Sequence, residues 1–279
     1  MAGLRSSLVL IAIILATLIA VPMQWLVLKL GLSTTPWIPT LLHRTICRIM
    51  GIRIRFSGTL QSARPLLLLP NHVSWLDIPV IGSITPLSFV AKADVMGWPV
   101  IGFLTRLQRT IFVDRGRRTK TAATVGEMAV RLKEGNPIVL FAEGTSSDGN
   151  RVLPFRSALI GAIESAIAAD PVHEVVHVQP VSIVYVAANG LPLGYSERHA
   201  VAWYGDMDLA PSIMEILRLG AIDVVISFAE AIPYDQAADR KAIARAAERA
   251  VRRMTADAAS GRIEAAGAPP RLLTAEETG

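Results

Sequence analysis

The sequence predicts an α/β fold in which a mixed sheet is flanked by helices and is preceded by an N-terminal membrane-anchoring helical segment. From residue 51 onward, short apolar runs of strand length alternate with helical stretches. Before that point, no charged residue lies between Arg5 and Lys29. The chain of 279 residues is 52% hydrophobic and 18% charged, and the usual charged share is about 25%. The surplus of apolar residues therefore needs a place other than a solvated surface.

The uncharged N-terminal stretch is long enough to anchor the chain in a membrane. Residues from Ser6 to Leu28 would form a helix of roughly 35 Å, against a hydrocarbon core of about 30 Å. A cleaved signal peptide and a helical hairpin that re-enters one leaflet at Pro22 are the alternatives. A signal peptide is disfavoured because its apolar part is usually about 7–15 residues long, and because no small-residue cleavage site precedes Trp25.

A second helical pattern follows and carries basic residues. Its apolar positions recur at helical spacing and are Ile38, Leu41, Leu42, Ile46 and Ile49. Arg44 and Arg48 lie four residues apart on another face. The helix therefore either contacts a membrane surface or covers the core of the main domain. Four arginines follow the apolar stretch, against Arg5 before it, so the positive-inside rule places the main domain in the cytoplasm.

Eight apolar runs in the main domain have the length of strands. They are Ile52–Phe56, Leu66–Leu69, Leu87–Ala91, Thr110–Val113, Ile138–Phe141, Val175–Val186, Ala200–Tyr204 and Asp223–Phe228. Helical stretches at Thr119–Glu134 and Ser157–Ala169 lie between them. We expect three regions: anchoring and interfacial helices over residues 1–50, the α/β domain over 51–234, and a C-terminal helix with a disordered tail over 235–279.

The charge balance favours anionic partners. The formal net charge is +5 and the isoelectric point about 9.7, which suits anionic lipid or nucleic acid. Nucleic acid is disfavoured, because aromatic residues make up only 6% of the chain and no run of Lys and Arg is long. The single cysteine, Cys47, excludes an internal disulfide and a cysteine zinc site.

The segment from Asn71 to Asp77 contains a histidine and a carboxylate five positions apart, directly after an apolar run. The two cannot share a helix face, but they can meet if His72 ends a strand and Asp77 lies in the first turn of the next helix. Ser74 would then be the N-cap and Asp77 the capping-box carboxylate. A carboxylate on one ring nitrogen leaves the other nitrogen free to take a proton. The pair predicts a general base, and helix capping alone is the alternative.

Two more predicted strand ends carry polar groups, and ligands of open α/β sheets bind at that edge. The run that ends at Val113 is followed by Arg115, Gly116, Arg117 and Arg118, and guanidinium groups bind anionic head groups in two-point contacts. Glu143 and Gly144 follow Phe141, and a glycine lets a backbone amide approach a ligand or a developing oxyanion. A solvated basic loop and an ordinary turn are the alternatives.

Weaker signals lie elsewhere. Pro180 interrupts an apolar run and marks an edge strand, a bulge or a special contact. Lys92 is either a cation beside the site or an ordinary surface lysine. The string from Gly144 to Gly149 does not match the G-x-S-x-G elbow of serine hydrolases, so the His–Asp pair has no nucleophile of its own and could deprotonate a hydroxyl carried by a substrate.

In this order, four segments resemble the motifs of the glycerolipid acyltransferase family, the 1-acylglycerol-3-phosphate acyltransferases and their relatives. Asn71–Asp77 matches the N-H-x4-D motif and Phe112–Arg115 resembles the arginine-containing second motif. Phe141–Thr145 resembles the third, usually Phe-Pro-Glu-Gly-Thr-Arg, and Pro180 the fourth. The resemblance covers roughly residues 50–230.

The resemblance implies a reaction in which His72, oriented by Asp77, deprotonates the hydroxyl of a lysolipid acceptor. The oxygen then attacks the thioester of acyl-acyl-carrier protein or acyl-CoA, and neither a metal nor another cofactor is implied. The residues implied to position the acceptor are Arg115, Glu143, Gly144 and Thr145. Further candidates are Asn71, Lys92, Arg117, Ser146 and Pro180.

Two positions depart from the family pattern. Ala142 replaces the proline of the third motif, and Ser146 stands where phosphatidate-forming members carry arginine. The string Glu143–Gly149 resembles the bacterial branch that acylates lyso-ornithine lipid. We therefore expect that acceptor at the cytoplasmic side of the bacterial inner membrane, with 1-acylglycerol-3-phosphate as the alternative. A membrane lipid hydrolase that uses the same pair with water or Ser74, and a non-catalytic lipid-binding protein, are further alternatives.

Overall fold

The strands of the main domain form one sheet in the computed structural model, which describes residues 2–32, 36–113, 121–161, 175–235 and 237–263. The strands in these ranges are β1 (Ile52–Ser57), β2 (Leu66–Pro70), β3 (Ser88–Lys92), β4 (Ile111–Val113), β5 (Ile138–Val139), β6 (Val176–Ala188), β7 (Leu191–Pro192), β8 (Ile222–Phe228) and β9 (Ile232–Tyr234). Seven of them follow the order β1-β8-β6-β2-β5-β3-β4, while β7 and β9 pair with β6.

The helices whose two ends both lie in the described ranges are α1 (Ala2–Lys29), α2 (Trp37–Met50), α3 (Asp77–Gly82), α4 (Ile101–Leu107), α5 (Thr121–Lys133), α6 (Leu209–Leu219) and α7 (Arg240–Ala259). Short 3-10 helices cover Ala93–Gly97 and Arg198–Val201. The predicted C-terminal helix is α7, which begins at Arg240 because Asp239 caps it by accepting a hydrogen bond from the N–H of Lys241.

Helices cover both faces of the sheet. Successive side chains of β2 point to opposite faces, and all five residues of this strand are buried. Leu66 and Leu68 pack in the same core cluster as buried residues of α2, α3 and α6. Leu67 and Leu69 pack in a second cluster with residues of α5 and α7. The continuous leucine run is therefore a central strand that is buried on both sides.

The strand directions place the carboxyl ends of several strands at one edge of the sheet. The strands β2, β3, β4, β5 and β6 run parallel to one another, whereas β6 and β8 are antiparallel. The predicted mixed sheet is thus confirmed. His72 follows β2 and Glu143 follows β5, so both leave the sheet at the same edge, as the sequence indicated.

The N-terminal helix α1 is packed along the domain. It continues through Pro22 as one helix of 28 residues and contacts α2, α4 and α6. Near one end the guanidinium of Arg5 donates to the carbonyl of Leu217 (3.3 Å), and near the other the amide of Gln24 donates to the carbonyl of Leu107 (3.0 Å). Its span Gly3–Lys29 has a mean hydropathy of 2.5, and most of its large apolar side chains are exposed.

The second predicted helix, α2, covers the core of the domain. Cys47 and Met50 are buried in the cluster on that face of the sheet. Arg44 does not face outward as a free cation, because its guanidinium donates to the carbonyls of Ser83 (2.7 Å) and Ile84 (2.9 Å). The helix was predicted either to contact a membrane surface or to cover the core of the main domain, and its buried face covers the core.

The predicted strand at Ala200–Tyr204 is wrong. A 3-10 helix ends at Val201, and the next residues turn back on themselves, with the indole N–H of Trp203 donating to the carbonyl of Met207 (2.7 Å). The predicted helix Ser157–Ala169 is helical at 157–161, and its remainder lies outside the described residues, as does the tail from 264. The predicted division into three regions stays a prediction.

Candidate active site

His72 and Asp77 meet at the edge of the sheet where β2 ends. The Nδ1 atom of His72 lies 2.7 Å from Oδ2 of Asp77. The imidazole is stacked on the ring of Phe141, with 4.1 Å between the ring centroids. The His72 side chain is 18% exposed, whereas that of Asp77 is fully buried. Because a carboxylate can only accept, Nδ1 carries the proton and Nε2 is left as the basic atom.

Asp77 is held by three further donors. Its Oδ2 accepts from the backbone N–H groups of Val73 (2.7 Å) and Ser74 (3.0 Å), and its Oδ1 accepts from the hydroxyl of Tyr185 (2.7 Å). Burial, followed by the proximity of Asp77, raises the pKa of Tyr185 well above 10. The hydroxyl therefore stays protonated and keeps donating to the carboxylate.

The predicted capping box is correct in only one of its two bonds. Asp77 accepts from the N–H of Ser74, as predicted. The Ser74 hydroxyl, however, has no hydrogen-bond partner and is fully buried, because α3 begins only at Asp77 and its N-cap position is Leu76. A fully buried hydroxyl cannot attack a lipid, which counts against the predicted hydrolase that uses Ser74.

Glu143 supports the histidine through the backbone. Its Oε1 accepts from the N–H of His72 (3.1 Å) and its Oε2 from the N–H of Leu153 (3.2 Å). The residue is 1% exposed. Burial raises the pKa of the carboxyl to about 8, although the two backbone hydrogen bonds act in the opposite direction. In this arrangement both oxygens contact the protein, and the predicted contact with an acceptor head group stays a prediction.

The raised pKa of Glu143 predicts how stability depends on pH. An unfolded glutamate has a pKa near 4.5, so between about 4.5 and 8 the folded protein holds a proton that the unfolded chain releases. The free energy of unfolding of the wild type, minus that of Glu143→Gln, should fall across this window by at most about 1.4 kcal/mol per pH unit. Denaturant titrations over a pH series measure this difference in the free energy of unfolding. For Glu230→Gln, at an exposed position, the difference from the wild type should not change with pH.

The loop after Glu143 also holds His72 in place. The N–H of Ser147 donates to the carbonyl of His72 (2.9 Å). Gly144 adopts a left-handed φ of 73°, and its N–H donates to the carbonyl of Phe141 (3.0 Å). The amide of Gly144 is thus engaged within the turn rather than free for an oxyanion. Thr145 is exposed and Ser146 half-buried beside this turn.

Asn71 and Pro180 join the site to the central strand β6. The side-chain amide of Asn71 donates to the carbonyl of Ile183 (3.0 Å) and its oxygen accepts from the N–H of the same residue (2.8 Å). Pro180 lies opposite Leu69 in the register of β2 and β6. It falls between the stretch of β6 that pairs with β9 and the stretch that pairs with β8. The proline therefore does not mark an edge strand: it lies in a central strand, at the point where the partner of β6 changes from β9 to β8.

The remaining predicted site residues either lie at the same edge of the sheet without a contact to His72 or lie outside the described residues. Lys92 is exposed at the end of β3, the same edge of the sheet. Arg115 and Arg117 lie outside the described residues, although β4, the strand before them, ends at this edge as well. In the part of the chain that the structure describes, no three His, Cys, Asp or Glu side chains are grouped to hold a metal ion.

Tyr185 and Phe141 are the functional candidates that the sequence reasoning missed. Tyr185 lies in a largely aliphatic run, five residues after Pro180. A phenol hydroxyl in a buried strand needs a partner, and this was the available signal. Phe141 belongs to the third motif, but nothing in the sequence indicated that its ring would stack on the imidazole.

Comparison with known proteins gives consistent similarities. A model of the family described as Acyltransferase matches residues 51–184. The chain is 46% identical over 259 residues to the lyso-ornithine lipid O-acyltransferase of Brucella abortus (strain 2308), covering 93% of this chain and 97% of that protein. It is 42% identical over 254 residues to the protein of the same name from Rhizobium meliloti (strain 1021), covering 91% and 87%.

A solved structure has the same fold. The crystal structure of the 1-acyl-sn-glycerophosphate (LPA) acyltransferase PlsC from Thermotoga maritima aligns with a TM-score of 0.56, and covers 92% of this chain and 98% of that chain. The two sequences are 18% identical. This likeness supports the arrangement of sheet and helices and does not bear on the acceptor.

Proposed function

This chain belongs to the acyltransferase family, and we propose that it moves a fatty acyl group from an acyl thioester to the free hydroxyl of lyso-ornithine lipid, which yields ornithine lipid. The observation that carries the proposal is the contact of 2.7 Å between His72 and Asp77 at the open edge of the sheet. The contact leaves Nε2 of a partly exposed imidazole as the only basic ring atom. That atom suits the removal of a proton from a substrate hydroxyl.

The proposed reaction needs one base and one nucleophile. Nε2 of His72 takes the proton of the acceptor hydroxyl while the hydroxyl oxygen attacks the thioester carbonyl. The tetrahedral intermediate then expels the thiolate, which takes the proton back from the imidazolium. No acyl-enzyme forms, because the serine beside the histidine is buried and the acceptor supplies the nucleophile. Asp77 fixes the ring orientation and stabilises the imidazolium.

Two observations support lyso-ornithine lipid as the acceptor. The relatives at 46% and 42% identity over most of the chain carry that acceptor in their names. Ser146 stands beside the Glu143–Gly144 turn, where members that make phosphatidate carry an arginine. A serine lacks the guanidinium that would pair with a phosphate head group. 1-Acylglycerol-3-phosphate is the alternative acceptor, and Arg115 and Arg117 would be its contacts.

The acceptor is tested by direct competition. The full chain in mixed micelles is given equal amounts of lyso-ornithine lipid and 1-acylglycerol-3-phosphate with a labelled acyl thioester, and the products are identified by mass spectrometry. Ornithine lipid is expected to dominate. Predominance of phosphatidate would overturn the acceptor while leaving acyl transfer intact, and absence of both products would overturn the acyl-transfer mechanism. The same assay with acyl-CoA and with acyl-acyl-carrier protein identifies the donor.

Ser146→Arg is expected to shift the preference toward the phosphate acceptor. The new guanidinium can form a two-point contact with phosphate, and a charge-assisted hydrogen bond of this kind contributes about 1.5–3 kcal/mol, or roughly 10- to 150-fold in kcat/KM. Ser196→Arg, at an exposed position, adds the same charge away from the turn and controls for net charge. A preference that moves equally in both variants would contradict a role for position 146.

Tyr185→Phe should lower kcat about 10- to 100-fold and leave KM almost unchanged, because it removes one hydrogen bond from the buried Asp77 carboxylate and touches no substrate. Steady-state kinetics separate the two constants. Tyr204→Phe, which removes the hydroxyl of an exposed residue, should have the wild-type values. A rise in KM with unchanged kcat would assign Tyr185 to substrate binding instead.

The protein associates with membrane through its apolar N-terminal helix, and we place it at the cytoplasmic face of the inner membrane. Arg5 and Gln24 lie about 28 Å apart along α1, and both are bonded to the domain. A helix crossing a bilayer core of about 30 Å would carry one end away from the domain. These contacts support a helix that lies in one leaflet beside the catalytic domain.

A further inference from the structure

Four large apolar side chains are exposed in the segment between β3 and β4, and the first of them is Met96. Val100 is 69% exposed and Phe103 is 48% exposed, and Trp98 precedes them with 38% of its surface exposed. We refer to Trp98, Val100 and Phe103 as the apolar lip. Lone exposed apolar residues are ordinary, but a contiguous group of them marks a contact surface.

The apolar lip follows the edge of the sheet at which His72 lies. It follows the carboxyl end of β3, at the edge of the sheet where β2 delivers His72. The ring of Trp98 meets the ring of Trp203 edge to face, with 6.3 Å between the centroids. The backbone N–H of Trp203 in turn donates to the carbonyl of Val73 (2.9 Å), the residue after His72.

The apolar lip is also continuous with the membrane helix. Phe103 belongs to α4, which packs against α1. Leu104 and Leu107 of the same short helix line a cavity together with residues of α1 and α2, and the carbonyl of Leu107 accepts from Gln24. The helix α4 therefore joins the apolar lip to α1.

The backbone at Val100 is strained, although the side chain points to solvent. Its φ of 63° is left-handed, its ψ is −60°, and the N–H of Ile101 donates to the carbonyl of Pro99 (2.6 Å). This is a classic γ-turn, which is rare and strained for a β-branched residue. Strained backbone conformations cluster at functional sites. Since the Val100 side chain points to solvent, it gains no packing within the chain that would offset the strain.

Charge beside the apolar lip fits a lipid surface. Lys92 is exposed at the end of β3, and Arg106 is exposed one helical turn after Phe103; with the exposed Asp94 between Lys92 and the lip, the segment carries two cations against one carboxylate. Cations that flank an apolar tip favour anionic lipid head groups, at about 1 kcal/mol for each Lys or Arg. Tryptophan at the base of such a tip suits the boundary between head groups and acyl chains.

We propose that the apolar lip inserts into the bilayer as a second membrane contact, separate from α1. Insertion would turn the edge of the sheet that carries His72 toward the lipid surface, so that a lysolipid reaches the base without leaving the membrane for water. The proposal relies on the membrane association of α1 and does not depend on the identity of the acceptor.

A cysteine-labelling experiment tests the insertion directly. The native Cys47 is 4% exposed, and burial raises the pKa of its thiol to about 12, so it should not react with the label. Val100→Cys in the full chain is labelled with an environment-sensitive fluorophore and mixed with vesicles of phosphatidylethanolamine and phosphatidylglycerol. The matched control is Val130→Cys on α5, an exposed valine on the opposite face of the sheet.

The label at position 100 should shift to shorter wavelength on addition of vesicles and should be quenched by lipids brominated in the acyl chain, whereas the label at position 130 should not respond. An unchanged signal at position 100, with the protein sedimenting with the vesicles, would overturn the proposal. So would a shift produced by acyl-carrier protein, or by a higher protein concentration, without vesicles. Neither readout requires acyl transfer, so the proposed reaction can fail independently.

A kinetic measurement gives a second test. Val100→Ser combined with Phe103→Ser should raise the apparent KM for lysolipid presented in vesicles several-fold, with kcat unchanged. In detergent micelles, where the acceptor is delivered without a bilayer, the KM of the double variant should equal that of the wild type. Equal KM values in vesicles would contradict the proposal, and Val130→Ser provides the matched control.

Discussion

Replacement of His72 by alanine should reduce kcat by about 10²- to 10⁴-fold, the contribution of a positioned general base. Among the residues that the structure describes, Nε2 of His72 is the basic atom that the contact with Asp77 leaves available to a substrate. Its removal also leaves the surrounding structure supported, because the backbone N–H and carbonyl of His72 are bound to Glu143 and Ser147 and not to the imidazole. Loss of activity in a protein that still folds and still binds vesicles is therefore expected.

The measurement is single-turnover transfer from a labelled acyl thioester, together with thermal unfolding and vesicle sedimentation of the same preparation. His199→Ala, at an exposed position, controls for the loss of a histidine. Activity retained by His72→Ala would exclude the mechanism. Activity lost together with the folding transition would point to a structural role, and the bonds of Glu143 and Ser147 argue against that outcome.

The sequence was sufficient to predict the meeting of His72 with Asp77, because it depends on local geometry. A strand that ends in a short turn before a helix brings residues five apart within hydrogen-bond distance, whatever the rest of the fold does. The convergence of Glu143 with His72 was predictable for a related reason. Parallel strands place their carboxyl ends at one edge, so the residue after β5 lies close to the residue after β2.

Other features depend on contacts that no local pattern records. The bond from Tyr185 to Asp77 joins residues 108 positions apart and requires the register of β6 against β2, which periodicity cannot fix. The error at Ala200–Tyr204 has the same origin. The run has the composition of a strand. The backbone N–H of Trp203 instead donates to the carbonyl of Val73, and its indole N–H donates to the carbonyl of Met207 within a turn. Tertiary contacts there outweigh the strand propensity.

Substitution of Asp77 should separate the orientation of the imidazole from the stabilisation of its charge. In the serine-protease triad, replacement of the buried aspartate by asparagine lowers kcat by about 10⁴-fold because the histidine adopts the wrong tautomer. Here the backbone N–H groups of Val73 and Ser74 point at the same oxygen that faces His72. An asparagine must therefore turn its oxygen toward them and its NH2 group toward Tyr185, which can accept. The tautomer should be preserved and only the charge lost.

We accordingly expect Asp77→Asn to lose about 10²-fold in kcat, and Asp77→Ala to approach the loss of about 10⁴-fold that removal of both functions predicts. Asp77→Ala should also lower the free energy of unfolding by about 1–3 kcal/mol for each buried donor it leaves unpaired, among them the amides of Val73 and Ser74. The ¹⁵N shifts of the His72 ring report the tautomer directly. If they show the proton on Nε2 in Asp77→Asn, or if the two variants lose equal activity, the two backbone amides do not fix the orientation of the pair.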